Sequence, residues 1–273
     1  MIRRIREHVV MHNWFAVLID LGIVVLGVFL GTQVSNWNQT RLDRQRGGEF
    51  RQRLIDDLAA SREDFRQRIV YYQKVHDLGY AALQDLRRPH SSDGGRFLFA
   101  AYKATQILPR STQRTTYQEI QSAGATGTLG NETIRQQIAN YYFNLDTTNA
   151  TIATVPPYRD IVRRGMPYGV QRAIRTDCAE SYREDANGRA VTGFPADCRP
   201  KLDSAAIAAA VATVRAIPDL QSDLTRSLID DDQKIVQFET MYRRAGQLKA
   251  LLQATVGQRS PGVKPPRPGH RSA

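Results

Sequence analysis

The sequence predicts an all-α protein with an N-terminal transmembrane helix, a long helical stalk and an antiparallel helical bundle. Three observations carry that prediction. One apolar run near the start is long enough to cross a bilayer. Apolar residues recur at helical spacings through most of the remaining chain, and no stretch alternates apolar with polar residues as an amphipathic strand does. At 273 residues and 41% hydrophobic content, the chain can bury a core without disulfides or metals to hold it. Composition excludes a collagen, a disulfide-dense miniprotein and a polytopic membrane protein.

From Trp14 to Val34 the chain runs 21 residues with one formal charge, Asp20. A bilayer core takes about 20 apolar residues at about 1.5 Å rise each. Trp14 and Trp37 flank the run, and the helical rise between them is roughly 34 Å. That spacing suits two indole rings anchored at opposite headgroup layers. Residues 14–37 are therefore expected to span the membrane, with 1–13 as a short cytoplasmic N-terminus. A cleaved signal peptide and a buried core helix are the competing readings. The run is longer than a signal core, lacks a clear small-x-small cleavage site and has no polar face.

Arginine counts on the two flanks nearly balance (Arg3, Arg4 and Arg6 before; Arg41, Arg44, Arg46, Arg51 and Arg53 after), so charge alone does not orient the span. The two cysteines do more. Cys178 and Cys198 bracket one polar, turn-rich stretch, and a staple across such a loop persists in oxidising compartments. A bridge closing about 20 residues contributes roughly 3 kcal/mol. Two unrelated thiols in a cytosolic domain are the alternative. The pair favours a cytoplasmic N-terminus with the bulk of the chain, 38–256, on the other side.

Past the span, Phe50, Leu54, Leu58, Phe65, Ile69, Tyr72, Leu83 and Leu86 recur at helical spacing, and Pro89 ends the element. If Gly47-Gly48 does not break it, span and stalk form one rod of about 110 Å. A short helix is expected next, around Arg96–Leu108. Thr116–Ala123 reads as a helix closed by Gly124, and Asn131 as the N-cap of the next. That helix carries Ile134, Ile138, Tyr141, Tyr142, Leu145 and Ile152 on its apolar face. Pro157 can start a helix near Tyr158–Ile174, and the cysteine loop is expected to be irregular. A helical return runs from Ala205 to Val256, broken near Pro218, with Ile235, Phe238, Tyr242, Ala245, Leu248 and Leu252 along a bundle seam. Residues 257–273 are expected to form a disordered, basic, Pro-rich tail.

Catalytic signatures are missing: there is no P-loop, nucleophile elbow, H-E-x-x-H or C-x-x-C pattern, and the five histidines are scattered. No catalytic residue, cofactor or metal is expected. Asp230-Asp231-Asp232 reads as a solvated helix start, its carboxylates complementing the helix dipole. The Arg163-Arg164 and Arg243-Arg244 pairs read as wet surface. Within the span, Asp20 stands where an acid costs about 2.5–3.5 kcal/mol on insertion scales, which suits a polar contact with another membrane helix, a proton-accessible site, or a carboxyl that snorkels or stays protonated near the cytoplasmic interface. Gly27 and Gly31 are spaced for close helix–helix approach. Together these three residues argue for a membrane-helix partner or a homo-oligomer, besides membrane lipid.

The acid, the apolar run and the exit Gly27-Val28-Phe29-Leu30-Gly31-Thr32-Gln33-Val34-Ser35-Asn36-Trp37-Asn38, with an Arg-rich stalk after it, resemble a family of uncharacterised bacterial single-span membrane proteins, a domain of unknown function. Thr116-Tyr117-Gln118-Glu119-Ile120, Ser122-Ala123-Gly124, Ile134-Arg135 and Tyr141-Tyr142 are similar to that family's tyrosine helix, serine–glycine turn and tyrosine-pair helix. Aspartate stands at position 20 where the family pattern has glutamate. The resemblance covers residues 14–150 and implies a bacterial inner-membrane, single-pass topology rather than an activity.

Three functions arise as expectations. The first is a non-enzymatic membrane protein whose periplasmic helical domain binds another protein or self-assembles. The second is a sensor-like, ligand-binding bundle working with a separate signalling partner, since only about 13 residues precede the span. The third, a cytoplasmic-facing binder of anionic lipid or nucleic acid, draws on the net charge of +11. It lacks the aromatic–basic interleaving of nucleic-acid modules, so no nucleic acid is expected.

Overall fold

The computed structural model describes residues 14–88, 93–184, 190–195 and 197–257. The cytoplasmic N-terminus expected over 1–13 lies outside the described residues, as does the basic tail from residue 258 onward. Helix α1 runs unbroken from Trp14 to Arg87, about 110 Å of helical rise. Gly47-Gly48 does not interrupt it. Gly47 is buried where the helix meets the turn at Thr128, and a Cβ there would fall onto the Thr128 carbonyl oxygen and 3.0 Å from its carbon. The glycine is a close-approach point, and burial of Leu54, Leu58, Phe65 and Tyr72 beyond it holds the helix in place.

Helix α2 (Gly94–Lys103) starts on Asp93, whose carboxylate accepts from the amides of Gly95 (2.9 Å) and Arg96 (3.3 Å). Helix α3 (Thr115–Ser122) ends at Gly124, in the left-handed region at φ +62°, before a 3-10 turn at Ala125–Thr128. Asn131 caps α4 (Glu132–Ile152), its side-chain oxygen accepting from the Ile134 amide at 3.0 Å. The apolar face expected for α4 is buried from Ile134 to Leu145, and Tyr142 stacks on Tyr117 of α3 at 4.0 Å.

Two expectations are corrected here. The single helix expected over 158–174 is two, α5 (Pro157–Gly165) and α6 (Tyr168–Asp177). Pro167 crowds the residue before it, and Met166 is extended at ψ 129°. The cysteine loop is not wholly irregular: Ser181–Glu184 (β1) and Ala190–Gly193 (β2) pair antiparallel, with Tyr182 opposite Thr192. The chain returns through α7 (Ser204–Arg215) and α8 (Leu220–Gly257), with Pro218 between them. Among the described residues the architecture is all-α apart from this hairpin.

Helix α8 runs antiparallel to α1 for most of its length. Tyr242 lies beside Arg62, Phe238 beside Phe65 and Tyr72, Lys234 beside Tyr72, and Asp232 beside His76. Two apolar clusters stack along this pair. The one nearer the apolar end of α1 joins Leu54–Val75 to α3, α4 and Phe238–Leu252. The far one joins Leu78–Leu83 to α2, α5, α6, α7 and Leu220–Leu228.

Candidate functional site

The first candidate site is the free end of α1. Apart from Gly22, every residue from Leu18 to Leu42 is exposed, including Ile23, Val25, Leu26, Phe29 and Leu30 at more than half their surface. Among the described residues this is the one helix long and apolar enough to cross a membrane. A soluble monomer rarely presents apolar surface on this scale. Asp20 is exposed on it without a hydrogen-bond or ion-pair partner among the described residues. A Cβ added at Gly27 or at Gly31 would meet nothing within 4 Å. At about 100° per residue, positions 20, 27 and 31 fall within a stripe of about 40°. The helix therefore brings an acid and two close-approach glycines onto one face. Trp14 is the first residue of α1, and Trp37 is 66% exposed at the other end of the run.

The second is a polar seam buried between α1 and α8, which sequence reasoning does not reach. Asp230-Asp231-Asp232 is not a helix start; it lies well inside α8. Asp231 is 4% exposed and accepts from Lys234 at 3.3 Å, and the Lys234 ammonium sits 5.1 Å from the Tyr72 ring centre. Burial pushes the Asp231 carboxyl up to about 6, against the pull of Lys234. Asp232 faces His76 at 3.4 Å across the helix pair. One turn along α1 from Tyr72, the fully buried Arg68 pairs with Asp64 at 2.7 Å, and Arg110 reaches the same carboxylate at 3.0 Å. The Arg68 guanidinium also lies 5.5 Å from the Phe238 ring. The signal in the sequence is Asp231–Lys234 at i,i+3 inside an apolar repeat, which turns both side chains toward one face.

The third is the cysteine loop. Cys178 and Cys198 are bonded, with their Cα atoms 5.8 Å apart, as expected from their placement across one polar stretch. Two residues past Cys178, Glu180 accepts from Lys103 of α2 at 3.2 Å, and Lys103 is 2% exposed. Burial lowers the Lys103 ammonium, with Glu180 opposing the shift. The same ammonium lies 5.6 Å from the Phe194 ring, which packs on Tyr71 at 4.8 Å. Arg163, expected on wet surface, is half-buried instead: it donates to the Thr105 hydroxyl at 2.9 Å and covers Tyr102. Its neighbour Arg164 is exposed and pairs with Asp160.

These three sites do not converge. The span stripe lies beyond the bundle, the seam holds α1 to α8, and the disulfide closes the hairpin loop onto the end of α6, with Lys103–Glu180 linking that loop to α2. Among the described residues, no group of three or more His, Cys, Asp or Glu side chains is placed to hold a metal ion. No protein-family model, no curated protein and no solved structure matches this chain.

Proposed function

We propose that this chain is a non-enzymatic, single-span protein of a bacterial inner membrane, and that its span and helical domain mediate protein interaction or self-assembly. In this reading residues 14–37 thread the bilayer, the N-terminus is cytoplasmic and the bundle is periplasmic. The observation that carries the reading is the exposed apolar length of α1 from Leu18 to Val34, with Asp20, Gly27 and Gly31 aligned on one stripe. An intramembrane acid without a partner among the described residues calls for one from another helix. Small residues at i,i+4 let that helix approach closely. The disulfide supports the periplasmic side. The resemblance of 14–150 to the bacterial single-span family agrees with the same topology.

The test is photo-crosslinking in native membranes from positions 20 and 27. A captured membrane helix supports the reading, and a strictly monomeric span with no neighbour overturns it. A reporter fused after Val256 reads the side: activity in the cytoplasm would reverse the orientation.

A second reading, a ligand-binding bundle, rests on one cleft of about 260 Å³ between α1 and the segment leading to α3. Ser61, Asp64, Arg110 and Thr112 line it, a mixed-charge set suited to a small polar molecule. A thermal-shift screen against polar metabolites that stabilises the wild type and not a Thr112→Val variant would favour this reading.

A further inference from the structure

Two walls of opposite character meet across the cleft of about 260 Å³ beside α1. Ala60, Ser61 and Asp64 form the α1 wall, and residues 110–113, which lead into α3, form the other. The α1 wall supplies acceptors. Asp64 is 8% exposed and lies between two guanidinium groups, Arg68 at 2.7 Å and Arg110 at 3.0 Å. Each of its oxygens has two lone pairs, so a further donor can join. Arg110 also donates to Gln67 at 3.3 Å and so stays tied to α1.

The opposite wall supplies donors. Thr112 is 5% exposed, and its buried hydroxyl has no hydrogen-bond partner among the described residues. Such a group costs stability, and a ligand atom in the cleft would restore the bond. The backbone amides of Ser111, Thr112 and Gln113 also meet no acceptor among the described residues. Two residues past Gln113, α3 starts at Thr115 without a side-chain cap from Arg114, so the positive end of its dipole is open.

The charges around the cleft balance. Arg68 and Arg110 share Asp64, Arg66 pairs with Glu63, and Arg114 pairs with Asp146. Arg62 covers the Tyr242 ring, and the exposed Asp56 accepts from Gln52. Asp57, half-buried one turn before Ser61, completes the count at five acids and five arginines. A net anion or a net cation gains nothing from that balance. A molecule carrying both signs does, because the two walls separate acceptors from donors.

We propose that this cleft binds a free α-amino acid as its zwitterion. The carboxylate meets the Thr112 hydroxyl, the amides of 111–113 and the open end of α3, and the ammonium meets Asp64 and the Ser61 hydroxyl. The proposal rests on the reading of the cleft as a ligand site. An ammonium has three donors and no acceptor, and a carboxylate has acceptors only, so each end fits one wall. The volume lies at the small end of ligand pockets, as a single amino acid requires.

The test is a thermal-shift titration of the full-length, detergent-solubilised chain. The probes are the proteinogenic amino acids, their N-acetyl and carboxamide derivatives, and glycerol and glucose as uncharged polyols. At least one free amino acid, at about 100 times its dissociation constant, is expected to raise the melting temperature by roughly 5–10 °C. Acetylating its amine or amidating its carboxylate should each weaken binding about tenfold or more. Thr112→Val should weaken the free amino acid about tenfold and its carboxamide less, because the hydroxyl answers the carboxylate. Without ligand that variant should melt no lower than the wild type, since the hydroxyl it loses has no partner; a lower value would mean that the hydroxyl is bonded within the chain and overturns the proposal. Derivatives that bind as tightly as the free amino acid also overturn it. A polyol that stabilises the wild type and not Thr112→Val, with no amino acid bound, overturns the zwitterion and leaves the cleft a ligand site. No stabilisation by any of these probes removes both.

Discussion

Asp231 and Lys234 form an ion pair at 3.3 Å with both side chains within 5% of full burial, wedged between α8 and Tyr72 of α1. With Asp64–Arg68 on the facing helix, it makes the α1–α8 contact polar at two levels of an otherwise apolar seam. A buried pair of this sort adds little net stability over an apolar substitute, but removing one partner leaves an uncompensated charge. Lys234→Ala, which strands the Asp231 carboxylate at neutral pH, should therefore destabilise the bundle by about 3–5 kcal/mol, while Asp231→Leu/Lys234→Met recovers most of that loss. Denaturant unfolding of the two variants checks it, and equal losses in both would refute the charge argument.

The same carboxylate sets a pH dependence. Its folded value of about 6 stands above the ordinary 3.8, raised by burial. Above pH 6 both folded and unfolded chains carry the charge, and the folded one bears its desolvation. As the pH falls through 6 the folded form takes up a proton first, so stability rises until about pH 4, by roughly 3 kcal/mol in total. Asp231→Asn should remove that rise. Unfolding curves at pH 7, 5.5 and 4 for both proteins decide it.

Gly47 and Gly48 are adjacent and predict opposite effects. A methyl at Gly48 meets nothing and should gain about 1 kcal/mol through helix propensity. A methyl at Gly47 collides with the Thr128 backbone, so Gly47→Ala should lose stability despite the same propensity gain. Thermal unfolding that shifted both variants upward would show that α1 does not rest on the turn.

At Asn131 the cap of α4 should be worth about 1 kcal/mol: Asn131→Ala loses it and Asn131→Asp keeps it. This cap, the left-handed Gly124 and the cysteine bridge are all legible in the sequence, because each is a local device with a residue type that announces it. The break at Pro167 is written there too. It is hidden because Val162, Met166, Val170 and Ile174 keep a four-residue spacing across it, and all four are buried in one cluster. Periodicity records the shared core and not the change of helix. The hairpin gives no alternation to read, since β1 is exposed on both faces and is held by its partner and the bridge. The Asp231–Lys234 pair stays hidden for a different reason. Three consecutive acids point in three directions on a helix, and only the position of α1 decides which one is buried. The stripe at Asp20, Gly27 and Gly31 is legible as residue types, and helical geometry aligns it.

The bridge and the Lys103–Glu180 pair should prove to be one device. Closing about 20 residues, the Cys178–Cys198 bond contributes roughly 3 kcal/mol, so Cys178→Ser/Cys198→Ser should lower the melting temperature by about 6–12 °C for a domain of this size. Part of that loss is the freedom regained by Glu180, two residues from Cys178, to leave Lys103 buried and unpaired. Glu180→Gln alone strips the charge partner from Lys103 and should cost about 2–3 kcal/mol. If the bond acts partly by holding Glu180 in place, the two losses overlap. The triple variant should then fall short of their sum by at least about 0.5 kcal/mol, beyond the scatter of independent sites. Full additivity in that cycle would mean that the bond closes its loop without steering the ion pair.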